Sequence, residues 1–383
     1  MSGAARRLRL GMIGGGRDAF IGAVHRMAAR LDDRYELVAG ALSSDPERAR
    51  QSGRDLRLDP ERSYGSIDAL IEGERRRDDG VDVVSIVTPN HLHYAAARAC
   101  LEAGFHVICD KPMTTTVTEA EALCAAAEAA GRVLAVTYNY SGYPLVRAAR
   151  ELVRQGELGP IHRVQVEYLQ DWLLEPLERT GNKQASWRTD PARSGPAGCI
   201  GDIGTHAFQL AEFVTGLRVR RLAGAVTSVV PDRPVDDDAQ VLLEFDGGAR
   251  GTLWASQVAT GHANGLRLRV YGRRAALEWC QEDPNRLYLR PFGEPARELV
   301  RAGPGTASPT APIRIPPGHP EGFLEAFAQI YRDVADRIEA LEHGTPPPES
   351  ALLAPDGREG LRGVRFVAAV LASSAGGMRW VEL

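Results

Sequence analysis

Apolar side chains alternate at Leu8, Leu10 and Met12 until Gly14-Gly15-Gly16 interrupts them, which reads as a strand running into a tight turn. A helical pattern follows over about residues 21–30, and residues 35–42 read as a second strand. Asp45-Pro46 supplies an N-cap and a first helical position, and Ser66 caps another helix to about Arg75. The nearly unbroken apolar run at 81–87 is that of a buried parallel strand. A helix at 91–103 closed by Gly104, a strand at 105–108, a capping box at Thr116 and Glu119 before a helix at 121–130, and a strand at 133–137 continue the series. Repeated strand–helix–strand units with apolar strands predict a doubly wound parallel sheet, a Rossmann domain over residues 1–140.

Beyond Tyr143 the pattern changes. A helix at 144–155 and a strand at 161–170 precede a long irregular stretch, 171–201, that holds Trp172, Lys183, Trp187 and Arg188. Loops of that length usually carry function. After a helix at 205–214 come six candidate strands, at 222–229, 240–245, 251–257, 266–271, 276–279 and 287–290, spaced as in a mainly antiparallel sheet. A Gly/Pro-rich excursion at 303–320 leads to a helix near 322–341. The expectation is an α/β chain: the Rossmann domain, then an α+β domain over residues 141–383 with a large, mainly antiparallel open sheet for substrate binding and oligomerisation.

Composition narrows the function classes. With 383 residues, 44% hydrophobic and 25% charged, the chain is ordinary globular material. A net charge of −4 without a long basic run argues against a nucleic-acid partner, and the lack of an 18-residue apolar stretch argues against a membrane span. Cys100, Cys109, Cys124, Cys199 and Cys280 are odd in number and lack CxxC spacing, which fits free thiols and a cytoplasmic location. Cys199, Asp202 and His206 have a spacing that admits zinc, but no fourth-ligand pattern accompanies them, so no metal is expected. Only two of the 46 basic residues are lysines, Lys111 and Lys183. Arginine holds its proton too tightly for acid–base work, so a lysine kept in so arginine-rich a chain is a candidate for chemistry.

Glycines between a first strand and a helix let backbone N–H groups approach a pyrophosphate, so Gly14, Gly15 and Gly16 are expected to bind a dinucleotide. Counting G-x-G-x-x-G from Gly14 puts Ala19 last, with Gly22 available after a short insertion. The second strand ends in Ser43-Ser44 with no acidic residue placed to repel a 2′-phosphate, and Arg17 and Arg48 are within reach; NAD and NADP both stay open. Thr88-Pro89-Asn90 and Asp110-Lys111-Pro112 end neighbouring strands, where open α/β sheets bind ligands. Asp202 and His206, four apart, would share one face of a helix, the carboxylate orienting an imidazole that takes a hydroxyl proton.

Together these motifs resemble the Gfo/Idh/MocA family of nicotinamide-dependent sugar and cyclitol dehydrogenases. The resemblance rests on the Gly14–Gly16 turn, Thr88-Pro89-Asn90 with His93, Asp110-Lys111-Pro112, Trp187-Arg188, and Gly201-Asp202 through His206. Asp110 stands where the family usually has Glu, and Ser43 where many members have an acidic residue. The resemblance implies Lys111, Asp202 and His206 as the catalytic trio, with either Lys111 or His206 as the base. It implies cofactor contacts from Gly14, Gly15, Gly16, Ser43, Thr88, Asn90, His93, Asp110 and Lys111. Asn139, Tyr140, Tyr143, Trp172, Trp187, Arg188 and His206 are candidates for the wall around a small carbohydrate, with His319 a further one. The expected reaction is hydride transfer between a hydroxyl carbon and nicotinamide C4. The same trio would serve a glycoside hydrolase that oxidises its sugar transiently, whereas a dinucleotide sensor would not need it. An open sheet must cover a face, and family members pair through it, so a homodimer or homotetramer is expected.

Overall fold

A computed structural model of the chain describes residues 6–306, 308 and 310–383. Five parallel strands, β1 (Leu8–Gly14), β2 (Tyr35–Ala41), β3 (Val83–Val87), β4 (His106–Cys109) and β5 (Leu134–Val136), form a sheet in the order β2-β1-β3-β4-β5. Helices α1 (Phe20–Leu31), α2 (Pro46–Asp55), α3 (Ile67–Arg75), α4 (His93–Glu102) and α5 (Val117–Ala130) alternate with the strands. The local signals act as expected: Asp45 accepts the Arg48 amide at 2.7 Å, Ser66 accepts that of Ala69 at 3.2 Å, and Gly104 takes φ +89° behind α4. Register aligns the carboxyl ends of the central strands, pairing Gly14 with Val87, Ile86 with Cys109, and Cys109 with Val136. The glycine turn, Thr88–Asn90 and Asp110–Lys111 therefore leave the sheet along one edge.

In the second part, α6 (Pro144–Arg154), β6 (Ile161–Leu169), two short helices α7 (Lys183–Arg188) and α8 (Pro191–Ser194), and α9 (Thr205–Thr215) precede β7 (Val219–Thr227), β8 (Asp238–Phe245), β9 (Arg250–Ser256), β10 (Gly265–Gly272), β11 (Ala275–Cys280), β12 (Arg286–Pro291) and β13 (Arg297–Val300). Two long helices, α10 (Phe323–His343) and α11 (Gly357–Ala375), and a final strand β14 (Val381–Glu382) follow. Nine strands make a sheet in the order β13-β12-β11-β10-β6-β9-β8-β7-β14, antiparallel except where β6 runs parallel to β9. Alternation sets its faces: Leu253 and Ala255 of β9 are buried, while Leu242 of β8 and Trp254 of β9 are exposed on the other side. The edge strands β13 and β14 and helix α11 lie outside the expected elements.

The chain divides into two units, but not at a single cut near residue 140. The first comprises the described residues through Thr114, Thr118–Gly142 and Phe323–Leu361; the second comprises Thr115–Val117, Tyr143–Gly322 and Arg362–Leu383. The physical reason is α10. Its apolar stripe of Phe327, Ile330, Tyr331, Val334 and Ile338 completes the core built by Leu8, Leu10, Val24 and Tyr35. A helix hydrophobic on one side must bury that side somewhere, and sequence distance does not say where.

Candidate active site

Gly14 and Gly15 have φ of +79° and +71°, a region that side chains with a Cβ avoid. A Cβ on Gly16 would lie 2.5 Å from the Leu42 carbonyl oxygen, so this glycine lets the turn press on the end of β2. A Cβ on Gly22 would lie 2.4 Å from the Gly15 Cα. Gly22, not Ala19, is thus the glycine that lets helix and turn approach; Ala19 is the N-cap of α1, after an inserted Arg17-Asp18. The Arg26 side chain donates to the Gly15 carbonyl at 2.6 Å and pins the turn. Neither a side-chain cap nor an acidic first-turn residue occupies the start of α1, which leaves its N–H groups to an anion. A cleft of about 430 Å³ opens here, lined by Gly16, Arg17, Phe20, Arg26 and Leu56 among others. At the end of β2, Ser43 Oγ accepts the Asp45 amide at 3.2 Å. The two nearby arginines are paired, Arg17 with Asp55 and Arg48 with Asp18.

Along the same edge, Asp110 Oδ1 accepts the Lys111 amide at 2.9 Å and the Thr137 hydroxyl at 2.7 Å. Asp110 Oδ2 lies 3.9 Å from His25 Nε2. His25 Nδ1 meets the Tyr331 hydroxyl at 2.8 Å, which meets Ser85 Oγ at 2.7 Å. Burial pushes His25 down to about 4, against the pull of Asp110. Asn90 is buried in a 3-10 turn, Asn90–Leu92. His93 is 1% exposed, and each ring nitrogen meets a backbone carbonyl, so neither is open to a cofactor. Among the described residues, Thr88 Oγ1 and Asn139 Nδ2 are buried without a hydrogen-bond partner. Groups left so are costly unless a ligand or water meets them. The glycine cradle and these two orphaned atoms fit a dinucleotide. Tyr140 is buried and packs edge-on against Phe323, 6.2 Å between centroids.

In the second unit, a π-helical turn, Ile200–Gly204, runs into α9, so Asp202 and His206 are separated by π geometry rather than by an α-turn. Such turns concentrate at functional sites. Buried Asp236 holds the start of the turn, accepting the Gly198 amide at 2.7 Å and the Ile200 amide at 2.8 Å. Cys199 donates its thiol to Asp236, and burial followed by that carboxylate pushes its pKa well up. His206 is buried in α9 with its ring 6.3 Å from that of Tyr168.

Asp202 anchors a polar network. Its Oδ2 accepts from Gln257 Nε2 at 2.9 Å and lies 3.3 Å from Arg188 Nε. The Arg188 guanidinium stacks 4.3 Å over Trp187 and lies 5.9 Å from Trp172. Gln170 Oε1 accepts from Trp172 at 3.1 Å and from Gln257 at 3.5 Å, while its amide donates to Asn264 at 2.8 Å. Asn264 donates to Gln281 at 3.3 Å, and Gln281 to Tyr143 Oη at 3.4 Å. Tyr143 itself is buried, its ring 5.2 Å from Trp279. Trp172, Arg188, Asp202 and Tyr143, expected from the sequence, are thus joined through Gln170, Gln257, Asn264 and Gln281, which were not. One turn past His206, both amide atoms of Gln209 are buried without a partner among the described residues. His319 is exposed, and its carbonyl accepts from Arg301.

Residues 8–138 match the oxidoreductase family with an NAD-binding Rossmann fold, and residues 146–278 match the GFO/IDH/MocA C-terminal domain. The chain is 35% identical over 382 residues to an uncharacterized oxidoreductase, YfiI, of Bacillus subtilis (strain 168), covering 99% of this chain and 97% of the relative. It is 29% identical over 314 residues to levoglucosan dehydrogenase of Pseudarthrobacter phenanthrenivorans, covering 74% and 76%. Among solved structures, an inositol dehydrogenase homolog from Azotobacter vinelandii complexed with NADH and myo-inositol superposes with a TM-score of 0.91 at 40% identity, covering 99% of this chain and 98% of that one. The chain belongs to the Gfo/Idh/MocA oxidoreductase family, and its first domain is an NAD-binding Rossmann domain.

Proposed function

We propose that the protein is an NAD(P)-dependent dehydrogenase that oxidises a hydroxyl carbon of a sugar or cyclitol, with Lys111, Asp202 and His206 as its catalytic residues. The observation that carries this reading is Lys111 at the carboxyl end of β4, beside the glycine turn's strand edge, in a chain similar to inositol and levoglucosan dehydrogenases. The bound nicotinamide supplies the carbon that accepts hydride. Gly14, Gly15 and Gly16 cradle the pyrophosphate, Gly22 lets α1 approach it, and Thr88 and Asn139 offer their unspent polar atoms. Lys111 donates a hydrogen bond to the reacting oxygen and steadies its developing negative charge. His206 takes the hydroxyl proton, and Asp202, held by Gln257 and Arg188, supports the charge that results. Arg188, Trp172 and Trp187 offer stacked faces and a cation suited to a polyol or an acidic sugar.

Five free thiols, three of them buried, support a cytoplasmic location, and carbohydrate metabolism is the natural setting for such an enzyme. Leu242 and Trp254, 47% and 38% exposed on one sheet face, support a homodimer or homotetramer formed through that face. The test is to offer myo-inositol, levoglucosan, D-xylose and acidic sugars with NAD⁺ and with NADP⁺. Reduced cofactor should accumulate mole for mole with substrate consumed. Substrate cleavage with only catalytic cofactor turnover, or no turnover of any polyol, would overturn the reading.

A further inference from the structure

Lys111 is fastened by its backbone on the near side. Its N–H donates to Asp110 Oδ1 at 2.9 Å, and the Asp110 N–H donates to Ile86 O at 3.0 Å, so the residue is tied to the sheet up to its own amide. On the far side stands Pro112, which has no N–H to offer. Its carbonyl is therefore the backbone handle available there, and it lies 2.8 Å from His93 Nδ1. The other ring nitrogen, Nε2, lies 2.9 Å from the carbonyl of Thr88, the residue that follows β3. The ring thus spans two strand-end loops, one carrying Thr88-Pro89-Asn90 and the other Lys111-Pro112.

We propose that His93 is a positioning residue: by bridging the Thr88 and Pro112 carbonyls it fixes the backbone from which Lys111 projects. The proposal rests on the assignment of Lys111 to the reacting oxygen. It replaces the expectation that His93 touches the cofactor, because a ring 1% exposed with both nitrogens engaged acts only through what it holds. Burial lowers the pKa of His93, with Lys111 a further cation against its charge, while Asp110 and the two carbonyls favour it. Each N–H that the ring carries donates to the carbonyl it faces, and the ring fills the space between the two. A side chain that fills space without a donor should therefore hold the loops less well than one that keeps a donor.

The scarcity of lysine gives a direct readout. Protein labelled with [¹⁵N]lysine should show two backbone amide signals, from Lys111 and Lys183, so each variant carries its own control. In His93→Leu, the Lys111 amide should shift and exchange with solvent about tenfold faster or more, as local opening becomes easier. Lys183 should not move. His93→Gln, whose amide donates to a carbonyl, should recover much of the Lys111 protection. An unmoved Lys111 signal with unchanged exchange in a folded His93→Leu protein overturns the proposal. If His93→Leu does not fold, His93→Phe, a ring of similar shape with no donor, takes its place, and unchanged Lys111 exchange in it overturns the proposal. None of these readouts needs turnover. Failure of the bridge is thus distinguishable from failure of the catalytic assignment, which Lys111 variants test by activity.

Discussion

Gln257 donates its side-chain amide to Asp202 Oδ2 at 2.9 Å. The bond ties the end of β9 to the π-helical turn that introduces α9, and it shares its acceptor with Arg188. Asp202 is therefore aimed from two directions, by Arg188 from the end of α7 and by Gln257 from 55 positions on. Gln257→Leu should remove one anchor and leave the second. The expected cost is about tenfold in kcat, with NADH affinity unchanged, because a hydrogen bond to a charged group contributes about 1.5–3 kcal/mol. Steady-state kinetics with NADH calorimetry check this; an unaltered kcat would remove Gln257 from the support of Asp202.

Gly22→Ala separates two ways of counting the glycine fingerprint. A methyl 2.4 Å from the Gly15 Cα forces the helix and turn apart. The expected result is a loss of stability of about 1–3 kcal/mol and a weakening of NADH binding by about tenfold or more. Ala19→Gly, at the position a strict G-x-G-x-x-G count would choose, should bind NADH as the parent does. Melting curves and calorimetry on the two variants decide.

Much of the first sheet was legible because β1 alternates and β3 is an unbroken apolar run, and because glycine or a capping residue follows the strands, as with Gly14 and Asp45. The strands of the second sheet were legible through alternation, as at Leu253 and Ala255. What escaped was set by distance. The Tyr331 hydroxyl meets His25 across 306 positions, and no local pattern assigns α10 to the first unit. The π-turn escaped because Asp202 and His206 have helical spacing whichever helix type holds them. Gln170, Gln257, Asn264 and Gln281 escaped because an amide at the end of a strand looks like any solvated residue until its partners are known. A buried tyrosine such as Tyr143 and a pocket tyrosine also give the same sequence signal.

Acid should destabilise the protein in two stages. Burial holds His25 and His106 down to about 4, while the unfolded chain returns them to the usual imidazole value. Between those values the unfolded state binds more protons, so stability is fully present above about pH 6.5 and is lost as pH falls toward 4. Each group accounts for up to about 3 kcal/mol over that window. Asp82, brought down to about 2 by its hydrogen bonds from Arg6 and Arg9 in spite of burial, adds a second loss below the ordinary carboxylate range. His106 Nδ1 accepts the Val133 amide at 2.9 Å, a role a glutamine oxygen can take. His106→Gln should flatten the slope of unfolding free energy between pH 4 and 6.5, measured by denaturant titration. An unchanged slope would show that His106 is not held neutral.

Gln209 offers a contrast between stability and binding. Its amide is 3% exposed, and neither polar atom has a partner among the described residues. Gln209→Met, close in size and without the polar group, should raise stability by about 1–3 kcal/mol in substrate-free protein. If the amide meets a substrate hydroxyl, the same variant should raise KM while leaving NADH affinity alone. Stabilisation with an unchanged KM would leave Gln209 as a site for water only.

The catalytic assignment makes the sharpest demand on Lys111 and His206. Lys111→Arg keeps the charge but gives up easy proton exchange and changes donor geometry. If Lys111 meets the reacting oxygen, kcat should fall by about a hundredfold or more, the low end for a lost acid–base group. NADH affinity should hold if, as proposed, the glycine turn grips the pyrophosphate. His206→Ala should lose a comparable factor. Asp202→Asn should cost less, since the amide oxygen can still accept from Gln257 while the charge facing Arg188 is gone. A purely structural role for these residues predicts a different set of numbers. Lys111→Arg would then be nearly silent, and His206, buried in α9, would show its loss mainly as a lower melting temperature. Measuring kcat, NADH Kd and melting temperature on all three variants separates the two patterns. A Lys111→Arg enzyme that turns over like the parent would end the assignment of that lysine to the reacting oxygen, and the purpose of the His93 bridge with it.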